Sequence, residues 1–323
     1  MPGYKAKTAL VLGASGFIGQ WVARKLCDAG ACTCLVVRNA AAACAAFERY
    51  GIRGEVVEAD LSHPAALFDI YGRFRPSVTF NLAGYGVDPL EREPHMAYQM
   101  NAELPSALCD AVAVAADSSW RGQHIVHAGS AAEYGDAGGD LRENGPARPT
   151  TLYGQSKLKG TLAVAERAAA CGLRAVTARL FTVYGPGEHS GRLLPSLIEA
   201  SRDHKPLDLT AGVQRRDFTY VEDVAEGLLR LGLLPANEPV VNLATGRLTP
   251  VRTFVEIAAG VLGIPPASLR FGVIPLRANE MEHEAVSIER LNGFAGWIPP
   301  TSIAEGIRKT AEAVRPDSQR FEK

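Results

Sequence analysis

Residues 8 to 19 read Thr8-Ala9-Leu10-Val11-Leu12-Gly13-Ala14-Ser15-Gly16-Phe17-Ile18-Gly19, and the order of residue types in them decides the fold. An apolar run, Ala9 to Leu12, precedes three glycines spaced over seven residues, and a helical pattern follows. Strand, glycine turn and helix in that order open a βαβ unit able to hold a pyrophosphate. Glycine permits the tight turn and close backbone approach, and a helix N-terminus presents free N–H groups to an anion. Gly13, Ser15, Gly16, Phe17, Ile18 and Gly19 are therefore candidate cofactor-binding residues. The spacing is GxxGxxG rather than the GxGxxG of the common dinucleotide fingerprint.

A chain of 323 residues suits one large α/β unit or two unequal lobes. Hydrophobic residues at 47% and charged residues at 21% describe an ordinary globular composition. A net charge of −1 provides no general electrostatic case for nucleic acid or an anionic membrane as partner. Cys27, Cys32, Cys34, Cys44, Cys109 and Cys171 have no metal-ligand spacing with histidine, so no metal is expected and the reading is free, buried thiols in a reducing compartment. No signal-peptide pattern precedes the first strand and no apolar run reaches membrane-spanning length, which points to a cytoplasmic protein.

From Thr8 to about Ser130 short apolar runs alternate with longer helical stretches, the pattern of a parallel sheet built from βαβ units. Strands are expected at Thr8 to Leu12, Thr33 to Val37, Gly54 to Glu58, Ser77 to Leu82, Gln123 to Ala128 and Ala175 to Phe181. Helices are expected at Phe17 to Ala29, Ala40 to Tyr50, Pro64 to Tyr71, Pro94 to Ala116 and Leu152 to Cys171. Past Tyr184 glycine and proline crowd together and the alternation loosens. Helices are expected there from Arg192, Val221, Arg252 and Ser302, with short strands near Val240 to Leu243 and Leu269 to Val273.

The chemistry concentrates in Tyr153-Gly-Gln-Ser-Lys157, at the start of a helix, with Ser130 near the end of a strand. A tyrosine and a lysine four apart share one helical face, so the ammonium can sit near the phenol and favour its ionised form. With the glycine loop, these residues resemble the extended short-chain dehydrogenase/reductase superfamily, which includes nucleotide-sugar epimerases, dehydratases and ketoreductases. The resemblance runs from Gly13 to about Pro300. It implies an α/β fold, a Rossmann-type doubly wound parallel sheet with a smaller, mixed C-terminal substrate lobe. Residues 1–184 would hold the dinucleotide and the catalytic side chains, and residues 185–323 mainly the substrate, with a return of the chain to the first domain left open.

The same resemblance implies roles. Tyr153 exchanges a proton with a substrate oxygen, Lys157 binds the nicotinamide ribose and tunes the tyrosine, and Ser130 hydrogen-bonds the reacting oxygen. Asp60 and Leu61 would meet the adenine, and Leu82, Ala83 and Gly84 would close over the cofactor. Asn101 would steady the helix beside it. Arg38 ends the second strand where relatives that prefer NAD carry an acidic residue, and an arginine can pair with a 2′-phosphate. NADP(H) is therefore favoured, with NAD(H) open.

For the substrate, the resemblance points to a nucleotide-diphosphate sugar. Arg216, in the stretch Arg215 to Val224, and Arg277 match arginines that reach its diphosphate. Ala131 and Thr182 line the sugar side, Thr182 standing where many relatives have asparagine. The two residues after Ser130 are Ala131 and Ala132, where 4,6-dehydratases carry an acidic pair or a glutamate, and Ser130 to Gly135 is similar to the Ser-x-x-Glu-Tyr-Gly of 4-keto-6-deoxy sugar reductases. A 4-ketoreductase is the leading reading and a 4-epimerase with retained NAD the alternative. A redox-inactive NADP-binding sensor and a reductase of non-nucleotide ketones stand further back. A homodimer built through the helices near 94–116 and 152–171 follows from the resemblance alone.

Overall fold

A computed structural model of the chain describes residues 1–87, 90–235, 238–276 and 281–314. The first half alternates strand and helix: β1 (Thr8–Leu12), α1 (Phe17–Asp28), β2 (Cys32–Val37), α2 (Ala40–Arg49), β3 (Glu55–Glu58), α3 (Ala65–Phe74) and β4 (Val78–Asn81). The helical stretch after β4 is α4 (Pro94–Tyr98), one turn of π-helix (Gln99–Glu103) and α5 (Leu104–Ala115). Then come β5 (Ile125–Ser130), β6 (Asp140–Leu141), α6 (Leu152–Ala170) and β7 (Ala175–Leu180).

The remainder comprises β8 (Thr182–Tyr184), α7 (Leu193–Asp203), β9 (Leu207–Leu209), β10 (Arg215–Tyr220), α8 (Val221–Leu233) and β11 (Val240–Leu243). It ends with β12 (Leu248–Pro250), α9 (Val251–Leu262), β13 (Leu269–Phe271), β14 (Ala285–Val286), α10 (Glu289–Ala295) and α11 (Ile303–Ala313).

Seven strands form one parallel sheet in the order β11-β7-β5-β4-β1-β2-β3. The strand order reverses between β1 and β4, and a crevice outside the carboxyl ends of those strands is where such sheets take ligands. Buried strands read as nearly continuous apolar runs because both faces are covered. On one face Val22 and Leu26 of α1, Phe47 of α2, and Val224 and Leu228 of α8 pack on Val11, Leu35 and Val126. On the other, Leu67 of α3, Leu108 and Val112 of α5 and Val164 of α6 pack on Leu10, Cys34, Val36 and Ile125. A separate core gathers Tyr184, Leu197, Phe218, Tyr220 and Phe254, with Phe218 and Phe254 stacked 4.1 Å apart.

Two expectations change. Val240 to Leu243, read as a short strand of the looser second half, is the seventh strand of the main sheet, in register with Thr177 to Leu180 of β7. The β5 strand runs on to Ser130 because Ser130 pairs with Leu180 of β7, which brings the serine to the strand's carboxyl end. The thiols are only partly as expected: Cys34 and Cys109 are buried, whereas Cys32 and Cys44 are exposed. Burial pushes the Cys34 and Cys109 thiols up to about 12, which leaves them inert. Among the described residues no helix is long and apolar enough to cross a membrane.

Candidate active site

The glycine loop lies at the strand-order reversal. Gly13 has φ +75°, and a Cβ there would come within 2.9 Å of the Ala83 backbone nitrogen, so the loops after β1 and β4 touch at this residue. A Cβ at Gly19 would lie 2.1 Å from the Gly13 carbonyl oxygen, which is why α1 can pack so closely on its own strand. Gly16 is the N-cap of α1 and provides no side-chain cap, and the first turn holds no acidic residue. The N-terminus carrying Phe17 and Ile18 therefore keeps its positive end for an anion. Gln20 donates to the Ser15 carbonyl at 2.7 Å and braces the loop from below. These features fit a dinucleotide pyrophosphate.

Around the loop, the ends of β2, β3 and β4 deliver the expected residues. Arg38 follows β2 and is exposed, while Asn39 beside it caps α2 by accepting from Ala42 N–H at 2.8 Å. Asp60 spends its carboxylate on a turn, accepting from Ser62 N–H at 3.0 Å, and these bonds hold it below the usual carboxylate range. Leu61 is buried in the core shared by α3 and α5. Leu82 and Ala83 are half-buried, and Gly84 is exposed within reach of Lys157. Asn101, on the π-helical turn, acts on the protein: its amide accepts from Tyr85 N–H at 3.0 Å and donates to Tyr85 O at 2.8 Å and to Ser156 Oγ at 2.9 Å. It thus clips the loop after β4 to α6.

Thr151 caps α6 by accepting from Gly154 N–H at 3.1 Å, a bond worth about 1 kcal/mol, and so fixes the turn that presents Tyr153. Burial pushes the Tyr153 phenol up to about 12, and the Ser130 side chain beside it acts in the opposite direction. Lys157 is buried, donates to the Ala128 carbonyl at 2.5 Å and is pulled down to about 8 by desolvation. The expected direct influence of Lys157 on the phenol is not what this arrangement shows. The ammonium turns to the Ala128 oxygen, and the groups that ease ionisation of Tyr153 are Ser130 and, at longer range, Arg192.

Ser130 is itself held by Glu133. Its N–H donates to Glu133 Oε1 at 2.7 Å and its Oγ accepts from Ala132 N–H at 3.1 Å, a reciprocal capping box on the short turn Ala131–Glu133. Arg179 donates to Glu133 Oε2 at 2.8 Å and lies over the Tyr134 ring, whose hydroxyl donates to Asn242 at 2.7 Å. Glu133 and Arg179 are both buried, so losing one partner strands the other and costs about 3–5 kcal/mol. Ala131 is buried beside this network, and Thr182 is half-buried at the start of β8, opposite Phe218. Arg216 is half-buried and donates to Met281 O and Arg215 O, each at 2.7 Å. Arg277, expected to share the diphosphate, lies outside the described residues.

With this geometry in place, comparison decides the family. A model of the NAD dependent epimerase/dehydratase family matches residues 9–244. The chain belongs to that family.

Among members of the family, the chain is 31% identical to a "dTDP-6-deoxy-L-talose 4-dehydrogenase (NAD(P)(+))" of Kitasatospora kifunensis, over 95% of this chain and 96% of that one. It is 26% identical to a UDP-glucose 4-epimerase of Mycolicibacterium smegmatis, over 96% and 99%. The structure of MoeE5 in complex with UDP-glucose and NAD superposes with a TM-score of 0.79 at 26% identity, over 95% of this chain and 98% of that one. That of the UDP-glucose 4-epimerase of Thermotoga maritima gives 0.83 at 22%, over 95% and 98%, a likeness of fold. The chain is accordingly an enzyme of the NAD dependent epimerase/dehydratase family, and the two relatives named are a dehydrogenase and an epimerase of nucleotide sugars.

Reading the sequence missed two groups at this site. Arg192, the N-cap of α7, acts electrostatically on Tyr153. A cation at a helix N-terminus opposes the helix dipole, and that misfit was the available signal. Glu188 lies behind it in the Tyr184 to Glu188 turn, buried, with Oε1 3.6 Å from Arg192. The turn itself is tied to α1 by Trp21, which donates to Pro186 O at 2.9 Å.

Proposed function

We propose that this enzyme reduces the 4-keto group of a nucleotide-diphospho-4-keto-6-deoxyhexose with NADPH. The observation that carries the reading is the Ser130 side chain beside the Tyr153 phenol, with alanine at positions 131 and 132. Eliminating water from the sugar needs a further acid and base next to Ser130, whereas carbonyl reduction needs a single proton donor. The relative named for dehydrogenation at C4 of a dTDP-6-deoxy sugar supports it, because that reaction run backwards is this reduction.

When bound, NADPH supplies the hydride that C4 receives. Ser130 Oγ and the Tyr153 hydroxyl bracket the substrate oxygen. A phenol pushed up to about 12 is protonated at neutral pH, and it delivers its proton to the oxygen as negative charge develops there. Ser130 and Arg192 ease the negative charge on the tyrosinate that remains, and Lys157, held by the Ala128 carbonyl and still charged below about 8, would take the nicotinamide ribose. Arg38 would take the 2′-phosphate of NADPH and Arg216 the diphosphate of the sugar nucleotide. A dimer through α5 and α6 belongs to the same proposal.

The epimerase reading draws support from the UDP-glucose 4-epimerase relative, and its cycle demands the same serine, tyrosine and lysine. One cofactor measurement separates them. Purified enzyme should consume NADPH when given dTDP-4-keto-6-deoxyglucose, and Tyr153→Phe should lower kcat by at least a thousandfold while NADPH still binds. Stoichiometric NAD⁺ released on denaturation, with no NADPH consumed, would discard the reductase in favour of the epimerase.

A further inference from the structure

Residues 281–286 lie between two anchors at the edge of the site. The near anchor is the Met281 carbonyl, held by Arg216 Nη1 at 2.7 Å. The far anchor is β14, paired with β6 and tied down by Ser287 N–H donating to Leu141 O at 3.0 Å. His283 lies between these anchors and is 5% exposed. Its ring meets Phe181 edge-on, with centroids 6.4 Å apart. Phe181 directly follows β7, directly precedes Thr182, and stands 6.5 Å from Tyr134. The imidazole therefore sits between the carboxyl end of the catalytic sheet and the arginine placed at the diphosphate.

His283 Nδ1 has no hydrogen-bond partner among the described residues. An unmade hydrogen bond at a buried polar atom costs about 1–3 kcal/mol, and a phenylalanine or leucine would fill such a niche without that cost. Burial and the Arg216 guanidinium pull the imidazole down to about 4, so the ring is neutral at physiological pH, with one donor and one acceptor nitrogen. A neutral ring of this kind suits a hydroxyl group and has no need of a counter-ion.

We propose that His283 is a specificity-determining residue that hydrogen-bonds a hydroxyl of the hexosyl group through Nδ1. The inference rests on the nucleotide-sugar reading above. With the C4 oxygen at Tyr153 and the diphosphate at Arg216, the hexosyl ring must span the interval that His283 borders, and its hydroxyls are the polar groups available there.

The test is calorimetric titration of wild type, His283→Phe and His283→Asn, each saturated with NADP⁺, using UDP-glucose, dTDP-glucose, UDP and dTDP as ligands. Phenylalanine keeps the aromatic contact with Phe181 and deletes the polar atom, whereas asparagine keeps a polar atom near the position of Nδ1. The expected result is roughly a tenfold loss of sugar-nucleotide affinity in His283→Phe. UDP and dTDP affinity should be unchanged, and His283→Asn should restore most of the loss. Equal affinities of His283→Phe and wild type for the sugar nucleotides would overturn the proposal. So would an equal loss for UDP and dTDP, which would make His283 a prop for the strand end that Arg216 holds. If wild type binds none of the four ligands, the nucleotide-sugar reading itself falls, and the assignment of His283 with it.

Discussion

At the scale of single residues, Glu188 shows how the site holds charge away from water. Its side chain is 8% exposed, Oε1 is a distant 3.6 Å from Arg192, and Oε2 has no hydrogen-bond partner among the described residues. Burial outweighs the arginine and pushes the carboxyl up from 4.5 to about 7. A raised carboxylate pKa means that the folded state binds the proton more tightly than the unfolded one. The stability this contributes is complete below about 4.5 and is lost as pH rises through about 7. Glu188→Gln should therefore melt at the same temperature as wild type near pH 4.5 and several degrees higher at pH 8, read by calorimetry across that range. Parallel melting profiles for the two proteins would refute this account. Nothing in the order of residues announces it, because a glutamate after a Gly-Pro-Gly turn reads as a solvated surface charge. Tyr153, Lys157 and Ser130 were legible for the opposite reason: their spacing along one helix and their place after a strand carry the chemistry directly.

Among the elements, the contact between α6 and the π-helical turn governs where Tyr153 and Lys157 stand. A Cβ at Gly160 would lie 1.8 Å from the Asn101 carbonyl oxygen, a distance that no rotamer change relieves because the obstacle is backbone. Gly→Ala in an unobstructed helix interior stabilises by about 1 kcal/mol. Overpacking against an immovable group costs about 1–3 kcal/mol or more, and here it wins. Gly160→Ala should lower the unfolding free energy in urea and reduce kcat, because α6 must move away from Asn101 and carry Tyr153 and Lys157 with it. A more stable, fully active variant would show that α6 has slack at this crossing. The helix itself was readable between Leu152 and Cys171, and so was a single long helix from Pro94 to Ala116. The π-helical turn inside the latter was not, since one extra residue in a turn leaves the apolar periodicity nearly intact.

For the whole molecule, α5 and α6 lie side by side on one face of the sheet, joined by an ion pair between Asp110 and Arg167 at 2.5 Å. Each exposes an apolar side chain, Val114 on α5 and Leu162 on α6. We infer that a second copy of the chain covers them, forming a four-helix contact across a twofold axis. Wild type should sediment as a dimer, and Val114→Glu combined with Leu162→Glu should sediment as a folded monomer. A monomeric wild type at micromolar concentration would end the proposal.

The residue order by itself determined the βαβ alternation of the first half, the place of the glycine loop and the identity of the serine, tyrosine and lysine, because these depend on neighbours within a few positions. Tertiary structure alone decided what depends on partners far along the chain. Val240 to Leu243 joins the main sheet because its backbone finds β7, some 60 residues earlier. Glu133 becomes the holder of Ser130 because Arg179, 46 residues away, neutralises it in the core. Lys157 turns to the Ala128 carbonyl, and His283 is brought up against Phe181, 102 positions before it in the sequence. Local pattern fixes which chemistry the chain can carry, and long-range packing fixes the charge, reach and solvation of each group that performs it.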